Sequence, residues 1–241
     1  MLTLADLFRA HGGELPEGGF TAEEVWATNR MTPDEWSLAM DAEREARRAF
    51  LAAGRESDED RRYRELRAAT VAAGVPERYA SGAIDSRYVR AMASGRGLWL
   101  YGDVGTGKTT AACAALRGWV ASGRRAAFVS APAMLADLRD AMFRHDEAHA
   151  TARYATAALL VLDDLDKEPP TARALAKLFE VIDARYSRGL PTVVTSQLGP
   201  SEIGARLGSQ GDAETATAIV SRLVGTCRVM RMLGADRRVH G

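Results

Sequence analysis

An α/β fold with a five-stranded parallel sheet is what this 241-residue sequence predicts, and three observations carry that expectation. From Gly97 onward, short apolar runs alternate with helix-forming stretches, as in strand–helix–strand units with right-handed crossovers. The run from Ala157 to Leu162 is wholly apolar, as a strand covered on both faces should be. Gly102-Asp103-Val104-Gly105-Thr106-Gly107-Lys108-Thr109 fits the phosphate-loop pattern G-x-x-x-x-G-K-[ST] between a strand and a helix.

Residues 1–75 contain no strand-like run. Thr21-Ala22-Glu23-Glu24 ahead of Val25 and Trp26 reads as a helix start, and Thr32-Pro33-Asp34-Glu35 ahead of Trp36 repeats the signal. Helices are expected over 33–53, ending at Gly54, and over 58–73, ending at Gly74. Trp26, Trp36, Leu38 and Met40 could form a docking face, while plain solvated faces account for the charges. Residues 76–96 read as a connector, with turns at Ser81-Gly82 and Ser94-Gly95. Residues 97–241 form the third part.

Within it, Gly97 to Tyr101 is the first strand and Thr109 to Val120 the helix after the loop. Ala126 to Ser130 is the second strand, followed by a helix over 132–144. Ala157 to Leu162 is the third strand, with a helix over 171–188 after it. Thr192 to Ser196 is the fourth strand. A polar stretch and a helix to Val224 lead to the fifth, Cys227 to Met232.

The apolar fraction of 46% and charged fraction of 27% are those of an ordinary globular chain. Cys113 and Cys227 are far apart, which speaks against a zinc or disulfide framework and fits a reducing cytosol. Both are expected to be small buried residues. No apolar run is long enough to span a membrane, and the start of the chain lacks a signal-peptide pattern. The expected location is cytoplasmic. Residues 1–75 hold 10 Lys/Arg against 15 Asp/Glu, and residues 76–241 hold 22 against 17. Such a balance does not suggest a strong grip on duplex DNA.

The loop's chemistry follows from its residues. Glycines let backbone N–H groups face phosphate oxygens, and the helix N-terminus favours their charge. The phosphate-contacting set is Gly102, Asp103, Val104, Gly105, Thr106, Gly107, Lys108, Thr109 and Thr110. Lys108 would reach the β- and γ-phosphates of ATP, and the Thr109 hydroxyl would hold Mg²⁺. Leu159-Leu160-Val161-Leu162-Asp163-Asp164 has the Walker B pattern. Its strand would aim Asp163 at the metal and place Asp164 to activate the attacking water. Asp166 and Glu168, close by, fit a solvated loop. Thr195-Ser196-Gln197 ends the fourth strand, where a polar side chain could hold the water, although an ordinary turn has the same composition. Arg222 suits a charge-stabilising role at a neighbour's nucleotide, which would require self-association; a surface arginine is the plain alternative.

Taken together, these segments resemble AAA+ ATPases of the DnaC/IstB type. Gly97 to Thr109, Asp163-Asp164-Leu165, Val194-Thr195-Ser196-Gln197-Leu198 and Ser221-Arg222-Leu223 carry the likeness, and Gly74 to Tyr79 is similar to the lead-in of helicase loaders. The resemblance implies a P-loop AAA+ core with no C-terminal lid, preceded by a small helical region. It implies ATP and Mg²⁺ as ligands, Gln197 as the sensor and Arg222 as a finger reaching the next subunit. Asp164 stands where the family more often has Glu; being shorter, it implies slow turnover. The lead functional expectation is a helicase loader in DNA replication. Its N-terminal helices would hold a replicative helicase, its ATP site would mediate self-association, and single-stranded DNA would be the track. An IstB-like transposition helper is the near alternative. A P-loop small-molecule kinase and an adaptor that scarcely hydrolyses ATP are further ones.

Overall fold

The computed structural model describes residues 57–167, 171–209 and 212–234. The helices expected before residue 57, with Trp26 and Trp36, lie outside the described residues, as does Glu168. The chain divides into two units after Arg61, and the fold below is that of Arg62–Gly241.

Five strands, β1 (Gly97–Tyr101), β2 (Ala127–Ser130), β3 (Leu160–Asp163), β4 (Thr192–Ser196) and β5 (Cys227–Arg231), form one sheet in the order β2-β3-β4-β1-β5. Every neighbouring pair is parallel. The register sets Ser130 beside Asp163 and Tyr101 beside Ser196, so the carboxyl ends of the strands finish level. Ligands of open parallel sheets bind at that edge.

Alternation along the strands divides the core in two. Leu98, Leu100, Leu159, Val161 and Val193 face one side, with Ala112, Ala115 and Leu116 of helix α4 (Lys108–Ala121). Trp99, Leu160, Leu162 and Val194 face the other. That side is covered by α5 (Ala131–Phe143), α6 (Glu147–Ala155), α7 (Ala172–Ser187), α8 (Pro200–Gly208) and α9 (Ala213–Thr226). Side-chain caps fix several helix starts: Ser130 accepts from the Ala133 N–H, Thr171 from Ala174 and Asp212 from Thr215.

Some elements differ from the sequence expectation. The connector is helical in part, with α2 (Glu77–Ala80) and α3 (Ser86–Met92) following α1 (Asp58–Ala72). Asp85 caps α3 through its carboxylate, a signal carried by one residue. Helix α6 was not foreseen, because its apolar face consists of Ala150, Tyr154 and Ala155 with no aliphatic repeat. The expected single helix before the last strand is two, α8 and α9. Strand β3 starts at Leu160 rather than Ala157, and the Ala157 carbonyl accepts from Arg185 instead.

Arg185, on α7, is 1% exposed and has no carboxylate partner among its hydrogen bonds. Its Nε donates to Thr192 Oγ1 (2.9 Å), Nη1 to the Tyr154 and Ala157 carbonyls (2.8 Å each), and Nη2 to the Pro191 carbonyl (2.6 Å). Burial lowers its pKa to about 10. This side chain ties α7, the end of α6 and the entries to β3 and β4 together. Nearby, Gly97 allows close strand approach: a Cβ there would sit 1.8 Å from the Thr192 carbonyl oxygen.

Arg185→Leu would strip the guanidinium donors from the Tyr154, Ala157 and Pro191 carbonyls, of which Pro191 keeps the Leu160 N–H. It should destabilise the full chain by roughly 3 kcal/mol or more in denaturant unfolding. A change below about 0.5 kcal/mol, the range of an inconsequential surface substitution, would refute the clamp.

Candidate nucleotide-binding site

The loop between β1 and α4 turns on glycines with left-handed backbone: Gly105 has φ 78° and Gly107, the N-cap of α4, has φ 88°. Gly102 has φ 145°, and a Cβ on it would stand 2.3 Å from the Met232 carbonyl oxygen, so β5's end braces the loop. The Thr106 hydroxyl donates to the Asp103 carbonyl (2.8 Å) and closes the turn. Lys108 is 7% exposed, with Nζ donating to the Gly102 and Asp103 carbonyls at 2.7 Å each. The loop N–H groups, the helix N-terminus and this ammonium together favour an anion.

Asp163 ends β3 under the loop. The Thr109 hydroxyl lies 3.1 and 3.2 Å from its two carboxylate oxygens. The Thr195 hydroxyl donates to Asp163 Oδ1 (2.6 Å) and accepts from the Asp164 N–H (2.9 Å). Burial raises the Asp163 pKa; the Thr195 hydrogen bond opposes this, the Asp164 charge adds to it, and Thr109 and Lys108 oppose it. Asp164 has φ 55°, a left-handed conformation that aspartate tolerates better than most residues.

Thr109 and Asp163 therefore offer two hard oxygen donors at one point, beside a buried carboxylate that a cation would relieve. Such a pair suits Mg²⁺, which takes few protein ligands and completes its shell with phosphate oxygens and water. No cluster of three or more His, Cys, Asp or Glu suited to a metal occurs among the described residues.

A cavity of about 750 Å³ opens over these groups. Val104, Gly105, Gly107, Lys108, Thr109, Thr110, Asp163, Asp164 and Gln197 line it, so the fold brings most of the sequence-predicted set to one place. Gly102, Asp103 and Thr106 stay behind the lining as loop scaffold. Arg222 is elsewhere: its Nε donates to Asp183 (2.6 Å) and its guanidinium lies over the Phe179 ring at 4.7 Å.

Sequence reasoning missed other lining residues. Gly74, Pro76, Arg78 and Tyr79 enter from the segment before the sheet, Phe128 and Ser130 from β2, and Lys167 from the turn after β3. The Gly74–Tyr79 lead-in was their one available signal. Asp166 also corrects an expectation: it is 7% exposed rather than in a solvated loop, and its Oδ1 accepts the Gln197 N–H (3.0 Å). Cys113 and Cys227 are both buried with pKa values raised to about 12, as inert core thiols should be.

Residues 59–240 match the family described as IstB-like ATP binding protein. A protein of Mycobacterium tuberculosis named as an insertion-sequence ATP-binding protein is 27% identical over 154 residues, covering 64% of this chain and 60% of its own length. One of Sinorhizobium fredii, similarly named, is 30% identical over 139 residues, covering 58% and 54%. The chain thus spans a little over half the length of the curated relatives it matches. In fold it is similar to the DnaC helicase loader (TM-score 0.55, 20% identity, 66% of this chain and all of that one). It is also similar to DnaI (TM-score 0.54, 21% identity, 68% and 94%). With the family match spanning most of its length, and a fold similar to those of DnaC and DnaI, the chain belongs to the IstB-like ATP-binding proteins.

Proposed function

We propose that this protein is an ATP-hydrolysing switch that serves a mobile DNA element, acting on DNA with a transposase. The hydrogen-bonded junction of Thr109 with Asp163 carries the ATPase part of the reading, because it joins phosphate loop and carboxylate where a nucleotide's metal belongs. The names of the two sequence relatives support the mobile-element part. Delivery of a replicative helicase to single-stranded DNA is the second reading, favoured by the fold match over the whole of the DnaC chain.

In this reading the loop amides and Lys108 bind the polyphosphate. Lys108 leaves the Gly102 and Asp103 carbonyls to do so. Thr109 and Asp163 would hold Mg²⁺, which would supply neutralisation of the phosphate charge. Asp164 accepts the proton of the attacking water, and Gln197 helps to orient that water. Arg78, Tyr79 and Phe128 line the part of the cavity that would receive the base. Arg222 completes a neighbour's site only if it gives up Asp183, so self-association would exchange an internal ion pair for an intersubunit contact.

The deciding experiment is ATPase activity of the full chain with no DNA, single strands and duplex. Stimulation by duplex fits the mobile-element switch. Stimulation by single strands alone moves the assignment to helicase loading, and absence of hydrolysis in all three removes the ATPase reading.

Lys108→Ala should weaken ATP binding about 30-fold or more, the loss of charge-assisted contacts worth roughly 2–3 kcal/mol. ATP-dependent oligomers should vanish with it in light scattering; oligomers that persist would rule out a shared site.

Asp163→Asn should raise the melting temperature without nucleotide at neutral pH while abolishing Mg²⁺-dependent ATP binding. The folded-state pKa of Asp163 is raised above 3.8, so its stabilising contribution is full below 3.8 and is lost as pH rises through the folded value. The gain in the variant should therefore shrink as the pH falls toward 3.8. A variant that melts below the wild type at neutral pH would contradict this.

A further inference from the structure

We infer that Lys167 supplies, from within the same chain, the cation that recognises the terminal phosphate of the nucleotide. This rests on the ATP reading above and adds a residue that the phosphate-loop and Walker B patterns do not contain. Three cationic side chains line the cavity: Arg78, Lys108 and Lys167. Arg78 comes from the segment before the sheet and lies over the Tyr79 ring at 4.8 Å. Lys108 belongs to the loop itself. Lys167 comes from the turn that begins at Asp164, where its backbone N–H donates to the Asp164 carbonyl (3.1 Å). Its backbone is therefore tethered at the carboxylate end of the cavity, with its ammonium beside Asp166.

Charge favours a further cation there, because the proposed Mg²⁺ and Lys108 carry less charge than the triphosphate and the acidic groups together. Asp163 and Asp164 both line this end, and Asp166 stands behind them. A terminal phosphate brought against those carboxylates meets like charge, which raises the free energy of the triphosphate more than that of the diphosphate. Arg222 does not offset it within the chain, being held by Asp183 away from the lining. Lys167 is placed to do so. Its Nζ forms an ion pair with Asp166 Oδ2 at 3.9 Å, beyond hydrogen-bond length, so a phosphate has only a long contact to displace, while the other Asp166 oxygen accepts the Gln197 N–H. Its side chain is 46% exposed and attached by a flexible stem.

During hydrolysis the water oxygen bonds to the γ-phosphorus as the bond from phosphorus to the β–γ bridging oxygen breaks. That oxygen leaves with the electron pair on ADP, and the water proton passes to Asp164. Lys167 makes and breaks no covalent bond. It balances the charge of the γ-phosphoryl oxygens, so its effect separates ATP from ADP.

The test compares wild type, Lys167→Gln and Lys167→Arg for Mg²⁺-dependent affinity toward ADP and a non-hydrolysable ATP analogue, together with kcat and the melting temperature. In Lys167→Gln, affinity for the ATP analogue should fall about tenfold while that for ADP stays within about twofold, and Lys167→Arg should restore most of the difference. The kcat of Lys167→Gln should fall by a similar factor. Unchanged discrimination between the two nucleotides overturns the inference, and so does an equal loss of both. A wild type that binds neither nucleotide sinks the ATP reading itself, a result separate from failure of the Lys167 role.

Discussion

In the proposed ATP site the carboxylate of Asp163 has to stay available to a cation at the end of a strand that is buried along its whole length. Burial alone would favour its protonated form. The fold answers first with hydroxyls, the charge of buried Lys108 adding a smaller share. Thr195, from the neighbouring strand, donates to one oxygen, and Thr109, from the first turn of α4, comes within hydrogen-bond distance of both. Each hydroxyl is in place only because β3, β4 and the loop reach the same edge of the sheet. The parallel register and the glycines that let strands and loop approach serve this arrangement.

Thr195 does more than solvate Asp163. By accepting the Asp164 N–H, while its own carbonyl accepts the Leu165 N–H at 2.9 Å, it holds Asp164 in its left-handed conformation. The turn that follows fixes Asp166 beneath Gln197 and ends on Lys167. Thr195, through its hydroxyl and its carbonyl, and the Gln197 N–H together thus order the short segment that carries Asp163, Asp164 and Asp166. Backbone strain at Asp164 is affordable because both flanking N–H groups are anchored to the same residue.

Much of this was legible in the sequence. The phosphate loop, the apolar run before Asp163 and the alternation of strands with helices are local patterns, and a five-stranded parallel sheet follows from them. What was not legible depends on contacts far apart in the chain. Arg185 donates to a carbonyl 28 residues away, ahead of β3. Asp166 looked like a loop carboxylate because its partner, Gln197, comes from another strand. Helix α6 hid because alanines and a tyrosine bury its face without an aliphatic repeat. The part of the cavity lined by Arg78, Tyr79 and Phe128 joins a segment before the sheet to its edge strand, a juxtaposition that no spacing encodes.

Partnering within the site bears on how it would switch. The groups that a nucleotide would engage already hold internal bonds: Lys108 with two loop carbonyls, Thr109 with Asp163, Arg222 with Asp183. In the proposed mechanism binding would exchange these bonds for phosphate, metal and intersubunit contacts instead of adding new ones, so the net gain would be smaller than a sum of contacts suggests. Lys108 donates to the Gly102 carbonyl, Gly102 lies against the Met232 carbonyl, and the Met232 N–H donates to the Tyr101 carbonyl at 2.7 Å, so the loop residue that the lysine holds is also the one braced by the end of β5.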